Sequence, residues 1–149
     1  MSNNDFTANH FELEDKILKQ IENNTNWTRV SNQKTGCKVD LVTQEGKSVQ
    51  HITSQLMPKT GNAYLPTNKW NDSKGLNEIW SFGLPTDVDN IFPLLKLWVI
   101  ETSELDKAIQ SCDFTVKAAK NEPNKFGYII PREWLEKHAS KSIEMNTFI

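Results

Sequence analysis

Residues Cys37 to Thr53, CKVDLVTQEGKSVQHIT, decide how this chain is read. Two runs of alternating side chains, Cys37 to Thr43 and Lys47 to Gln55, flank the loop Gln44-Glu45-Gly46. Alternation with a period of two marks a half-buried strand. A three-residue connection ending in glycine fits a hairpin loop with Gly46 in the left-handed conformation. That loop fixes the register: Thr43 faces Lys47, Val42 faces Ser48, Asp40 faces Gln50 and Lys38 faces Ile52. Opposed side chains, and those two apart, share a face. Asp40, Gln50 and Lys38 are therefore expected together, within reach of one small ion.

Upstream, residues 8–23 read as an amphipathic helix. At 100° per residue from Phe11, Leu13, Ile17, Ile21 and Leu18 fall at about 200°, 240°, 280° and 340°. Glu14 falls among them at about 300°, while Asp15, Lys16, Lys19 and Glu22 take the opposite arc. A core-facing carboxylate must be paired, metal-bound or protonated, because burying it ionised and alone costs several kcal/mol. Pairing with a lysine or a tryptophan N–H at the core edge would serve Glu14. So would a cation shared with Asp40 and Gln50, if the helix covers their face.

Downstream, Trp27 to Val30 forms a short strand before the hairpin, with a polar turn over Ser31 to Gly36. Residues 57–76, rich in Asn and Lys, read as a long loop, a length usually found in functional or mobile segments. Strands are expected at Asn77 to Leu84 and at Leu94 to Glu101, the latter nearly continuous in apolar residues and so central. Ser103-Glu104-Leu105-Asp106 reads as a capped helix start running to about Gln110. Strands follow at Phe114 to Ala118 and Phe126 to Ile130. Pro131 then takes the first position of a helix carrying Trp134 and Leu135. This order makes an α+β, or mixed α/β, layered domain.

The composition, 37% apolar and 24% charged over 149 residues, is that of one globular domain. A net charge of -2 projects no global field toward nucleic acid. No apolar run approaches the roughly 18 residues of a membrane helix, and the first ten residues lack a secretory h-region. Cys37 and Cys112 read as free thiols of a reducing cytoplasm. No glycine-rich phosphate loop, and hence no nucleotide cofactor, is indicated. His51 lies in a His-x-Thr triplet, but no second such motif begins at His10 or His138. Trp80 and Trp98 belong to strand patterns and the core. Trp70 stands apart, in the polar segment with Lys59, Lys69 and Lys74. It either contacts bases beside phosphate-binding lysines or folds back on the domain.

The oxygens of Asp40, Gln50 and Glu14 suit a hard cation such as magnesium, which keeps several waters and takes one or two carboxylates. Asp40 fits equally a strand-end aspartate paired with Lys38. In order and spacing, Glu14, Asp40 and Gln50 on the next strand resemble the PD-(D/E)XK nucleases, among them restriction enzymes and Holliday-junction resolvases. Leu13 to Glu22, LEDKILKQIE, is similar to the helix bearing the active-site glutamate in phage resolvases. Ile129 to Leu135, IIPREWL, resembles their carboxy-terminal segment, and some small type II restriction enzymes likewise end with a strand, a proline and a helix.

The resemblance implies a restriction-endonuclease-like central mixed sheet flanked by helices, as a single nuclease-like domain over residues 1–149. It implies a magnesium-dependent DNA endonuclease with Asp40, Gln50 and Glu14 at the metal and the Lys59 to Lys74 segment against DNA. A homodimer follows from the resemblance alone. The departure lies at Ile52, where the family carries its catalytic lysine. In the hairpin register Lys38 lies across from Ile52 and could supply the ammonium. The alternative is a non-catalytic interaction module on the same scaffold: an inhibitor, immunity protein or assembly subunit.

Overall fold

The computed structural model describes residues 15, 17–30, 39–54, 60–85, 95–119 and 122–145. Helix α1 covers 17–24 and leads to β1 (Thr28–Arg29), β2 (Leu41–Val42), β3 (Ser48–Thr53) and β4 (Asn62–Pro66). Then come α2 (Thr67–Ser73), β5 (Ile79–Pro85), β6 (Leu95–Glu101) and α3 (Thr102–Gln110). The chain continues through β7 (Thr115–Ala119), β8 (Glu122–Pro131), α4 (Arg132–His138) and β9 (Lys141–Met145). The fold is α+β. A mixed six-stranded sheet runs β1-β2-β3-β5-β6-β9, and a second sheet of three strands runs β4-β8-β7.

The hairpin forms as its loop demands. Leu41 pairs with Val49 and Val42 with Ser48. The Thr43 N–H donates to the Lys47 carbonyl at 2.8 Å, and Gly46 sits at φ 84°. β3 then runs parallel to β5, and all other pairings in the two sheets are antiparallel.

The large sheet separates two apolar clusters, because alternate residues of each strand point to opposite sides. Val49 and Leu97 and Val99 face α1, where they pack with Ile17, Leu18, Ile21, Trp27, Leu41 and Met145. Ile52, Trp80, Phe82, Trp98 and Ile100 face the other way, onto Leu105, Ala108, Leu135 and the small sheet's Ala63, Leu65 and Ile130. Each side is held at its rim by charge. Arg29 donates to Asp15 at 2.8 Å, keeping that carboxyl below its usual range and fastening β1 to the start of α1. Lys96 donates to Glu136 at 2.7 Å and lies 5.1 Å from the Trp98 ring centre, tying α4 to β6.

Several expectations change. Residues 60–76 are no loop: they hold β4 and α2. Ala63 and Leu65 alternate into the core, and Trp70 and Ser73 turn inward one helical step apart, a pattern hidden by the Asn and Lys between them. α3 starts at Thr102 with Glu101 as its N-cap and no side-chain cap, so no capping box forms at Ser103. Pro131 ends β8 opposite Asn62 and caps α4 from outside. Lys141–Met145 is a strand that the sequence reading omitted. Trp70 is 1% exposed, its ring centre 5.3 Å from that of Trp80.

Trp70→Ala should therefore lower the unfolding free energy by about 3–5 kcal/mol, as for other buried aromatics cut back to alanine. Urea denaturation checks this; a change under about 0.5 kcal/mol would mean a surface side chain.

Candidate functional site

Asp40 lies just before β2, where the strand bulges. Its N–H donates to the Val49 carbonyl at 2.9 Å, although Val49 is already paired with Leu41. Two residues thus oppose one, the defining feature of a β-bulge. In a regular ladder His51 would donate to a backbone carbonyl. Instead its N–H donates to Asp40 Oδ2 at 2.9 Å. The same oxygen accepts Gln50 Nε2 at 2.7 Å. The expected meeting of Asp40 and Gln50 is present, at 3% and 0% exposure.

The amide orientation bears on the chemistry. Gln50 turns its NH2 group, not its oxygen, toward the carboxylate. Its Oε1 is buried with no hydrogen-bond partner. An unpaired buried carbonyl costs about 1–3 kcal/mol, so this atom asks for a donor or a cation. Rotating the amide would exchange the two ends and set Oε1 beside Asp40.

The other predicted site residues separate. Glu14, Lys38 and Lys59 lie outside the described residues. α1 packs on the Val49 face of the sheet, opposite to Gln50, so the helix does not cover the face on which Glu14 was to meet the pair. The bulge also interrupts the register that set Lys38 across from Ile52. Ile52 is 6% exposed within the aromatic cluster of the far side. Trp70 offers no face to a nucleic acid, being in the core. Lys74 is exposed, its Nζ 5.8 Å from the Trp70 ring centre. Lys69, partly buried on α2, acts electrostatically on His51. Among the described residues no group of three or more His, Cys, Asp or Glu could hold a metal. Asp40 and Gln50 are therefore at most part of a metal's ligand set.

Sequence reasoning undervalued His51. Its ring is 0% exposed, with Nδ1 2.9 Å from Ser81 Oγ and Nε2 3.0 Å from Thr53 Oγ1. Each hydroxyl can donate or accept, so either neutral tautomer is satisfied. Gly83 makes the room: a Cβ there would stand 2.8 Å from His51 Cε1. Burial, reinforced by the Lys69 charge, lowers the His51 pKa to about 3. Asp40 touches only this residue's backbone, so the two form no acid–base pair. The signal available was His51-x-Thr53 on one strand with Ser81 two positions before a strand glycine.

A polar cleft of about 640 Å³ opens elsewhere, beyond the end of α1. Asn23, Asn26, Gln44, Glu45 and Lys141 line it around Trp27. It holds amides but a single carboxylate, so no metal or acid–base set. His138 lies 3.5 Å from Glu104 and stacks on Trp134 at 4.4 Å. No family model, curated protein or solved structure matches the chain.

The buried neutral histidine sets a pH dependence. Its folded pKa of about 3 lies below the ordinary histidine value of 6.5. Its contribution is complete above pH 6.5 and is lost as pH falls toward 3. Across that window wild-type stability should fall by about 1.4 kcal/mol per pH unit more than that of His51→Gln. Urea titrations at several pH values check this; parallel pH profiles would show that His51 does not couple to acid unfolding.

Proposed function

We propose that this chain processes DNA in the manner of the PD-(D/E)XK nucleases, as a magnesium-dependent endonuclease or as a relative that keeps the DNA contacts with weakened chemistry. One observation carries the reading. Asp40 and Gln50 meet across the hairpin, as the resemblance has them, and Gln50 Oε1 is a buried oxygen without a partner. A hard cation fits such oxygens, with water filling the remaining positions. Bound there, magnesium would lower the pKa of a coordinated water and offset charge on a phosphodiester. The protein's part is to aim Asp40. The bulge and the His51 N–H hold its carboxylate in one orientation, and turning the Gln50 amide adds the second oxygen.

A second reading has its own support. Ile52 is packed into the core at the position of the family's lysine, and Gln50 donates to Asp40 as a structural pair would. On that reading the scaffold is a non-catalytic interaction module. The nuclease reading would still take its ammonium from Lys38, though not from the position across from Ile52 that an unbroken register gives, and a homodimer would present two such sites to the two strands of DNA.

Magnesium-dependent cleavage of duplex, branched and single-stranded DNA separates the two. The expected result is cleavage that Asp40→Ala abolishes and Lys38→Met reduces at least about 100-fold, the lower range for a positioned proton-transfer group. Cleavage unchanged in Lys38→Met would remove the lysine from the mechanism. No cleavage and no DNA binding at low salt would leave the interaction module. Gln50→Glu gives a readout independent of activity, because it sets two carboxylates side by side. That variant should melt lower than wild type in EDTA and regain stability in magnesium. A melting temperature indifferent to magnesium would argue against a cation at this pair.

A further inference from the structure

The small sheet ends in an open edge. Among the described residues β7 pairs with β8 alone, and Thr115, Val116 and Lys117 are all exposed. An edge strand presents unpaired N–H and C=O groups and is a ready template for another chain. This one is braced from its covered side. Tyr64 of β4 crosses β8 at Gly127, where a Cβ would overlap its ring, and its hydroxyl donates to the Lys117 carbonyl at 3.4 Å. That carbonyl therefore turns toward β8. Backbone direction alternates along a strand, so the N–H and C=O of Val116 turn outward.

The side chains at this edge fit no purely solvated surface. Val116 and Phe126 are 52% and 48% exposed, two of the three large apolar residues so placed among the described ones, so apolar exposure concentrates here. Val116 lies opposite Tyr128 and Phe126 opposite Ala118, which puts both on one face. On the other face Lys117 is exposed, and Asp113 is exposed just ahead of the strand. Neither makes an ion pair among the described residues.

Asp113-Phe114-Thr115-Val116-Lys117 is complementary to its own reverse. Two copies set antiparallel about a two-fold axis at Thr115 bring each Asp113 against the partner's Lys117. Each Val116 then faces the partner's Phe114, and Thr115 faces the partner's Thr115. Opposite charges, apolar pairs and threonine pairs all favour cross-strand contact. An axis at Val116 leaves both charges without a partner, and an axis at Lys117 opposes two lysines. Charge thus selects one register. The chain bends at Phe114, so the ladder is short, and the long lysine side chain spans the remaining gap to Asp113.

We propose that β7 is the contact surface of a two-fold dimer, joining two small sheets into one six-stranded sheet. Such an interface must be self-complementary, and β7 carries that pattern within five residues. An unrelated partner would need acid and base in the right order but would give β7 no reason to match itself. The nuclease reading takes a homodimer from resemblance; this surface comes from β7, and needs neither Asp40, Gln50 nor a metal.

Sedimentation velocity over a micromolar concentration series, in EDTA and without DNA, should show reversible dimerisation that weakens in high salt. Lys117→Glu and Asp113→Lys should each weaken it at least about fivefold, since each sets two like-charged pairs across the axis. The double reversal exchanges the charges and should return the affinity to within about threefold of wild type, because the two positions act as one pair. Cross-linking gives a second readout. With Cys37 and Cys112 replaced by serine, Thr115→Cys should oxidise to a disulfide-linked dimer, because opposed residues lie within a disulfide's Cα separation of about 4.4–6.8 Å. Lys117→Cys should not, its two copies standing about 13 Å apart along the strands. A monomer at every concentration would overturn the interface. So would a dimer indifferent to both single reversals, a double reversal no tighter than either, or Lys117→Cys linking as readily as Thr115→Cys. The nuclease reading fails separately. A monomer that cleaves DNA counts against the interface alone; a dimer that neither cleaves nor binds DNA counts against the nuclease alone.

Discussion

Where the chain bulges ahead of β2, the N–H of His51 loses its backbone partner and the Asp40 carboxylate takes its place. A buried N–H left bare costs about 1–3 kcal/mol. A carboxylate with too few donors costs more, so each group needs the other. Gln50 completes the set from the adjoining position on β3. The exchange lets the strand bend without breaking the interior of the large sheet, on which both apolar clusters are built.

β3 is consequently a two-sided strand with different duties on each side. Toward α1 it presents Val49 and the neutral ring of His51, enclosed by Ser81, Thr53 and the gap at Gly83. Toward the helices α3 and α4 it presents Gln50 and Ile52. Ile52 packs with the tryptophans, where an ammonium would be desolvated. A lysine in that position would have to reach out of the cluster. An apolar residue at position 52 is thus coherent with the packing.

The hairpin was legible because its information is local: alternation, loop length and Gly46 together fix the pairing of Leu41 with Val49. The strand tryptophans and the packed face of α1 followed from the same periodicities, with Trp80, Trp98, Ile17 and Ile21 all buried. The bulge was not legible, since nothing in the residue types distinguishes a carboxylate that closes a ladder from one that waits for an ion. Nor were β4 and α2, whose buried residues are only every second or third along a segment dominated by Asn and Lys. Trp70 was misplaced for the same reason. Tyr64 escaped because its ring rests on a glycine from a different part of the chain, and single-sequence periodicity carries no such pairing.

That remoteness has a kinetic consequence. Tyr64 and Lys117 are 53 residues apart, and β4 pairs with β8 across all the strands and helices between them. Non-local pairing of this kind bears its loop-closure entropy before any contact rewards it. Joining β4 to β8 thus carries a larger loop-closure cost than the local pairing of β7 with β8.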